Sequence, residues 1–328
     1  MRPRVFVTRV IPDAGLSLLR ERCDVEVWPH DRPPSRDELI ERAGDKDAIV
    51  CLLTEKIDAD VLGALPGVKI VANVAVGFDN LDVAAGTKAG VVMSNTPGVL
   101  DDTTADLAFA LLMSAARRIP EGDRLMRAGG WGGWGIMQML GRDVHHATLG
   151  IVGFGRIGRG VAKRARGFSM DVVYHDGIRA TPEVERELGA RFVSLDELLS
   201  SADFVTLHVP LLPETHHLID AAALKKMKRS AILVNTSRGP VIDEAALVEA
   251  LRSGTIAGAG LDVYEDEPKL AAGLVELNNV TLLPHIGSAS IATRDKMAEI
   301  AARNVIAFFD GQAPPTALNP EVVRSRQG

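Results

Sequence analysis

Short runs rich in Val and Ile alternate with longer amphipathic stretches through most of the chain. That pattern predicts repeated strand–helix units around parallel sheets, because strands covered on both faces read as continuous apolar runs. In the N-terminal third, Val5-Phe6-Val7, Val25-Glu26-Val27, Ala48-Ile49-Val50 and Val68-Lys69-Ile70-Val71 read as strands, with helices over 14–22, 36–43 and 59–65 between them. A second series opens with Thr148-Leu149-Gly150-Ile151-Val152-Gly153. It continues through Asp171-Val172-Val173-Tyr174, Asp203-Phe204-Val205-Thr206-Leu207, Ala231-Ile232-Leu233-Val234, Ala259-Gly260-Leu261-Asp262-Val263 and Val280-Thr281-Leu282-Leu283. Ala105, Leu107, Ala108, Leu111, Leu112 and Ala115 predict a largely buried helix over 103–118 that bridges the two series. A last helix is expected over 292–309, stopped by Asp310-Gly311 and Pro314-Pro315. The fold class is therefore α/β, with a small doubly wound sheet and a larger one of six strands.

Length and composition narrow the function classes. At 328 residues the chain suits two ordinary domains, and 46% hydrophobic against 24% charged residues predicts a folded, soluble protein. A formal charge of −6 supplies no basic field for a phosphate backbone, so nucleic acid is not an expected partner. No apolar run approaches the ~20 residues of a membrane span, and no secretory leader is expected at the N-terminus. Cys23 and Cys51 alone form neither a disulfide framework nor a metal-ligand spacing, which favours a reducing cytoplasm and no metal site. Two of the three tryptophans, Trp131 and Trp134, fall in the glycine-rich run Gly129-Gly130-Trp131-Gly132-Gly133-Trp134-Gly135, a surface that something else is expected to cover.

Gly153-Phe154-Gly155-Arg156-Ile157-Gly158 follows a predicted strand and opens a predicted helix. In a G-x-G-x-x-G loop, Gly153 permits the tight turn, Gly155 lets the backbone approach a pyrophosphate and Gly158 lets helix pack on strand. Unpaired N–H groups at the helix start then face the phosphates. Asp176 follows the next strand, where a carboxylate accepts hydrogen bonds from ribose hydroxyls and repels a 2′-phosphate. NAD(H) is thus favoured, while nearby Arg179 leaves NADP(H) open; a plain glycine turn and a solvated turn acid are the bland readings.

Arg238, Glu267 and His285 each follow a strand of the second series, the edge at which open α/β sheets bind ligands. Hydride transfer to a 2-keto acid needs a cation to hold the carboxylate and polarise the carbonyl, and an acid to protonate the alkoxide. Arginine suits the first task and histidine the second, with a carboxylate to orient the imidazole. Alone, each also fits a surface ion pair, a loop charge or a structural histidine. His145-His146 and His216-His217 lack helical i,i+4 ligand spacing and read as structural or surface.

Together, the glycine loop, Asn235-Thr236-Ser237-Arg238-Gly239, Gly260-Leu261-Asp262-Val263 with Glu267-Pro268, and Pro284-His285-Ile286-Gly287-Ser288 resemble the D-isomer-specific 2-hydroxyacid dehydrogenases, essentially end to end. Val76-Gly77-Phe78-Asp79-Asn80, Asn95-Thr96-Pro97-Gly98-Val99-Leu100, Gly130-Trp131 with Trp134, and Pro314-Pro315 to Asn319-Pro320-Glu321 are most similar to the glyoxylate/hydroxypyruvate reductases among them. The resemblance implies that Arg238 binds the substrate carboxylate and carbonyl and that His285, paired with Glu267, is the general acid/base. It implies substrate contacts from the N–H groups of Val76 and Gly77, from Leu53, and from Trp134 of a partner protomer. For the cofactor it implies Thr104, Gly155, Arg156, Ile157, Asp176, Thr236, Ser237, Arg238, Asp262, His285 and Gly287.

The organisation that follows is a Rossmann dinucleotide-binding domain, 101–287, inserted into a smaller flavodoxin-like substrate domain, 1–100 with 288–328. A dimerisation segment is expected over 119–147, giving a homodimer. The expected activity is reduction of glyoxylate and hydroxypyruvate, in reverse a D-glycerate dehydrogenase. Alternatives are another member of the family, such as phosphoglycerate dehydrogenase, or a non-catalytic NAD(H)-sensing scaffold like the C-terminal-binding-protein corepressors. The stretch 73–81 offers no cation for a phosphorylated substrate.

Overall fold

The structure is a computed structural model and describes residues 2–327. The chain divides into two compact units, one running to Leu100 and resumed from Ser288, the other comprising Asp101–Gly287. The first holds a five-stranded parallel sheet of β1 (Arg4–Val7), β2 (Asp24–Val27), β3 (Ala48–Cys51), β4 (Ile70–Asn73) and β5 (Val92–Ser94), in the order β2-β1-β3-β4-β5. That is the flavodoxin-like order of a doubly wound sheet.

Strand alternation decides which side chain goes where. Val5, Val7, Val50 and Ala72 point to one face, covered by the helices Asp13–Arg22 and Ile291–Phe309. Phe6, Ile49, Cys51, Val71 and Met93 point to the other, beneath Leu39, Val61 and Leu62. The helix from the C-terminal stretch is joined tightly, since a Cβ on Gly15 would lie 2.6 Å from the Ala298 backbone.

The second unit carries seven parallel strands: β6 (Thr148–Val152), β7 (Asp171–His175), β8 (Ala190–Phe192), β9 (Phe204–Leu207), β10 (Ile232–Asn235), β11 (Gly258–Leu261) and β12 (Val280–Leu282). Their order is β12-β11-β10-β9-β6-β7-β8. The winding reverses between β6 and β9, so that the carboxyl ends of these strands form the ligand-binding edge. The helix expected over 103–118 is observed as Asp101–Ala116 and packs on this sheet, with Leu111 filling the space beside Gly260.

The hydrophobic pattern did not anticipate β5, β8 or the helices Val83–Ala89, Ile119–Arg127 and Pro320–Gln327. Both strands are three residues long, and β8 is an edge strand with an exposed Arg191.

Candidate active site

The three loop glycines do different work. Gly153 sits at φ +92, and a Cβ there would lie 2.6 Å from the His208 carbonyl group. A Cβ on Gly158 would lie 2.1 Å from the Gly153 oxygen. By contrast, nothing stands within 4 Å of the Cβ position of Gly155, the N-cap of the helix Arg156–Ala165, whose first turn lacks a side-chain cap. The open cradle and uncapped amides suit a dinucleotide pyrophosphate. Arg156 reaches back to Asp101, Nε to Oδ2 at 3.1 Å.

Asp176, just past β7, accepts from the Phe154 N–H at 2.6 Å and the Ile178 N–H at 2.9 Å, so the acid is fastened to the glycine loop. Arg179, the side chain that left NADP open, donates twice to Glu185, at 2.9 and 3.0 Å, and lies over the Phe192 ring. Thr236 is buried after β10, and among the described residues its Oγ1 has no hydrogen-bond partner. Such an orphan beside a dinucleotide fold fits a missing polar group of a cofactor.

Beyond β10, Asn235 folds the turn that presents Arg238. Its Oδ1 accepts from the Ser237 N–H and hydroxyl at 2.9 and 2.7 Å, and its Nδ2 donates to the Arg238 carbonyl at 2.9 Å. Gly239 seals the turn against the next loop, because a Cβ there would lie 1.8 Å from the Tyr264 carbonyl.

Asp262 follows β11, almost wholly buried, and its two carboxylate oxygens accept from the Ile286 and Gly287 N–H groups, each at 2.7 Å. Its carbonyl accepts from the His285 N–H at 2.8 Å. The loop after β12 is thereby wrapped around one side chain, with His285 in the left-handed region at φ 53. Such a backbone is uncommon outside glycine and persists where its surroundings impose it. Thr104 braces the same loop by donating to the Gly287 carbonyl at 3.2 Å.

His285 Nδ1 meets Glu267 Oε2 at 2.9 Å, and Glu267 Oε1 accepts from the Tyr264 N–H at 3.1 Å. Burial alone would raise the Glu267 carboxyl. The bond and charge of His285, the Tyr264 N–H and the Arg238 charge outweigh burial and hold it below the ordinary carboxylate value. Burial raises the Asp262 carboxyl, against the pull of the loop amides and His285. An ionised Glu267 accepts only, so Nδ1 is the donor and Nε2 is left for proton transfer.

In the other unit, the turn after β4 is held by its carbonyls. Carbonyls of Val76 and Gly77 are taken by the Asn95 and Asn73 amides, at 2.7 and 3.0 Å. Among the described residues their N–H groups have no acceptor. Asn73 and Asn80 join at 3.1 Å, and Asn80 donates to the carbonyls of Leu52 and Glu55, which fixes the loop holding exposed Leu53. Asn73, the Asn80 amide and the Asp262 cage carry no signal in the sequence beyond the place of Asn80 within the Val76–Asn80 run.

Residues 109–287 match the NAD binding domain of the D-isomer specific 2-hydroxyacid dehydrogenases. The chain is 55% identical to the glyoxylate reductase of Korarchaeum cryptofilum, over 99% of this chain and 98% of that one. Among solved structures, a protein of Thermus thermophilus superimposes with a TM-score of 0.90 at 44% identity, covering 96% of this chain and 99% of that one. An NADPH-dependent glyoxylate/hydroxypyruvate reductase of Sinorhizobium meliloti, in complex with NADP and malonate, gives 0.87 at 32% identity over 98% of both chains. With the glycine loop, the Arg238 turn and the His285–Glu267 pair in place on such a sheet, the chain belongs to the D-isomer-specific 2-hydroxyacid dehydrogenases and is an oxidoreductase acting on CH–OH groups with a nicotinamide cofactor.

Proposed function

We propose that the protein reduces glyoxylate and hydroxypyruvate to glycolate and D-glycerate, using NADH in preference to NADPH. The observation that carries this reading is the 2.9 Å His285–Glu267 pair on the loop caged by Asp262. A cofactor would be held by the amides at Gly155, Arg156 and Ile157, by Asp176 at its ribose, and by Thr236 through its orphan hydroxyl. When bound, the nicotinamide supplies the hydride. Arg238 forks onto the substrate carboxylate and carbonyl and draws charge onto the oxygen, and in the smaller unit the amides of Val76 and Gly77 are the donors that the resemblance assigns to substrate. His285 gives its Nε2 proton to the alkoxide, while Glu267 keeps the ring oriented and stabilises the cation before proton loss. Leu53 shapes the substrate side of the smaller unit.

NADH preference follows from the tethered carboxylate of Asp176 and the engagement of Arg179 with Glu185, which leave a 2′-phosphate facing an anion. A homodimer is supported by an exposed apolar strip, with Trp134 79% and Ile136 72% exposed. No helix among the described residues is long and apolar enough to cross a membrane, and Cys23 and Cys51 are buried free thiols, in keeping with a reducing cytoplasm.

The test is NADH and NADPH oxidation with glyoxylate, hydroxypyruvate, pyruvate and phosphohydroxypyruvate. The expected order is highest kcat/KM for the first two with NADH. Turnover confined to phosphohydroxypyruvate would make the protein a phosphoglycerate dehydrogenase, and cofactor binding without turnover would make it an NAD(H)-sensing scaffold.

A further inference from the structure

A second group of chemically capable side chains lies on the cofactor-binding unit and has no part in the reaction described. The loop after β9 carries His216 and His217, whose rings stack with centroids 4.0 Å apart and 28° between their planes. The loop is built rather than loose. Thr215 Oγ1 accepts from the Leu212 N–H at 2.8 Å and donates to the Pro210 carbonyl at 2.7 Å, while the His217 N–H donates to the Pro240 carbonyl at 2.8 Å. Its backbone places His217 in the left-handed region, at φ 51.

Glu265, from the loop after β11, arrives opposite, with Oε1 2.7 Å from His217 Nε2. Its N–H donates to Glu244 Oε1 at 2.8 Å, which fixes its backbone. One ligand atom from each of His216, His217 and Glu265 lies within 4.8 Å of the others. Sequence spacing gave no reason to join them, since the third member comes from a different strand end.

We propose that His216, His217 and Glu265 bind a first-row divalent transition metal ion, Zn2+ being the best match. Two imidazoles and one carboxylate are a donor set that such ions take, and three protein ligands leave a coordination position for water. Tetrahedral ligation at about 2.1 Å brings ligand atoms about 3.4 Å apart. The three ligand atoms already lie within 4.8 Å of one another on exposed or part-buried side chains, so ligation asks them to close up to that spacing. Bound there, the ion ties the loop after β9 to the loop that carries Glu267.

The alternative is a simple His217–Glu265 ion pair, in which His216 has no part. The two are separated by calorimetric titration of the untagged protein with Zn2+, backed by the visible absorption of Co2+. Expected is one ion per chain, with His216→Ala and Glu265→Gln each weakening binding at least about tenfold, as even outer-shell changes do. His145→Ala with His146→Ala, whose rings lie 5.3 Å apart at 86°, should leave binding unchanged. Absence of binding by the wild-type protein would overturn the proposal. So would wild-type affinity in His216→Ala, or a loss of binding confined to His285→Ala.

Discussion

At the scale of single residues, Asp262 organises more than it touches. Both of its carboxylate oxygens are spent on the Ile286 and Gly287 amides, so its contribution is to hold the His285 loop. Asp262→Asn keeps one acceptor and leaves a buried N–H unpaired, which should cost about 1–3 kcal/mol. We expect kcat to fall with KM and NADH affinity nearly unchanged; an equal loss in cofactor affinity would show that Asp262 acts on the cofactor directly. His208 makes a second, independent prediction. Its ring is partly buried with Nδ1 shut off from solvent, and burial holds it down at about 3. An unfolded chain takes up that proton near ~6.5, so between these values the unfolded state binds more protons. Stability is therefore complete above ~6.5 and declines as pH falls through the window. The melting temperature should drop from pH 7.5 to 5, and by less in His208→Gln. An equal drop in the variant would remove His208 from the account.

Among the elements, those read correctly from sequence are the ones whose burial forces a pattern. Strands β3, β4 and β10 are buried along their whole length and appear as unbroken apolar runs. β5 and β8, three residues each, escaped, whereas the equally short β12 was read because Leu283 extends its apolar run, and the helix Val83–Ala89 escaped because Gly86 and Thr87 interrupt its apolar spacing. Site residues were legible where they lie in turns next to strand ends, as Arg238 and His285 do. Many of the contacts that hold the loops were not, since Tyr264 donates its N–H to Glu267 and, in the other unit, Asn73 and Asn80 donate to backbone carbonyls, contacts that no spacing reveals. The Arg238 turn depends on Gly239, and a methyl group there would overlap the Tyr264 carbonyl carbon and oxygen, each 1.8 Å away. Gly239→Ala should cost about 3 kcal/mol or more in urea unfolding, at the upper end for overpacking. Gly63→Ala, in the helix Ala59–Ala64 with nothing within 4 Å, should instead stabilise by about 0.5–1 kcal/mol. Equal midpoints for the two variants would refute the packing argument.

For the whole molecule, the two-unit organisation follows from one helix, Ile291–Phe309, which returns late in the chain to complete the sheet that the first residues begin. The exposed strip containing Trp131, Trp134, Ile136 and Met137 is the surface expected to pair with a second copy. Trp134→Asp with Ile136→Asp should give monomers in sedimentation velocity; a dimer surviving both changes would place the contact elsewhere. In the proposed reaction His285, oriented by Glu267, protonates the substrate oxygen while the cofactor site stands independently of it. That role is tested most directly by measuring glyoxylate reduction and NADH binding side by side in His285→Ala. The expected result is a fall in kcat of about 10²–10⁴-fold, with NADH affinity within a few-fold of wild type. A variant that turns over glyoxylate at the wild-type rate would contradict it.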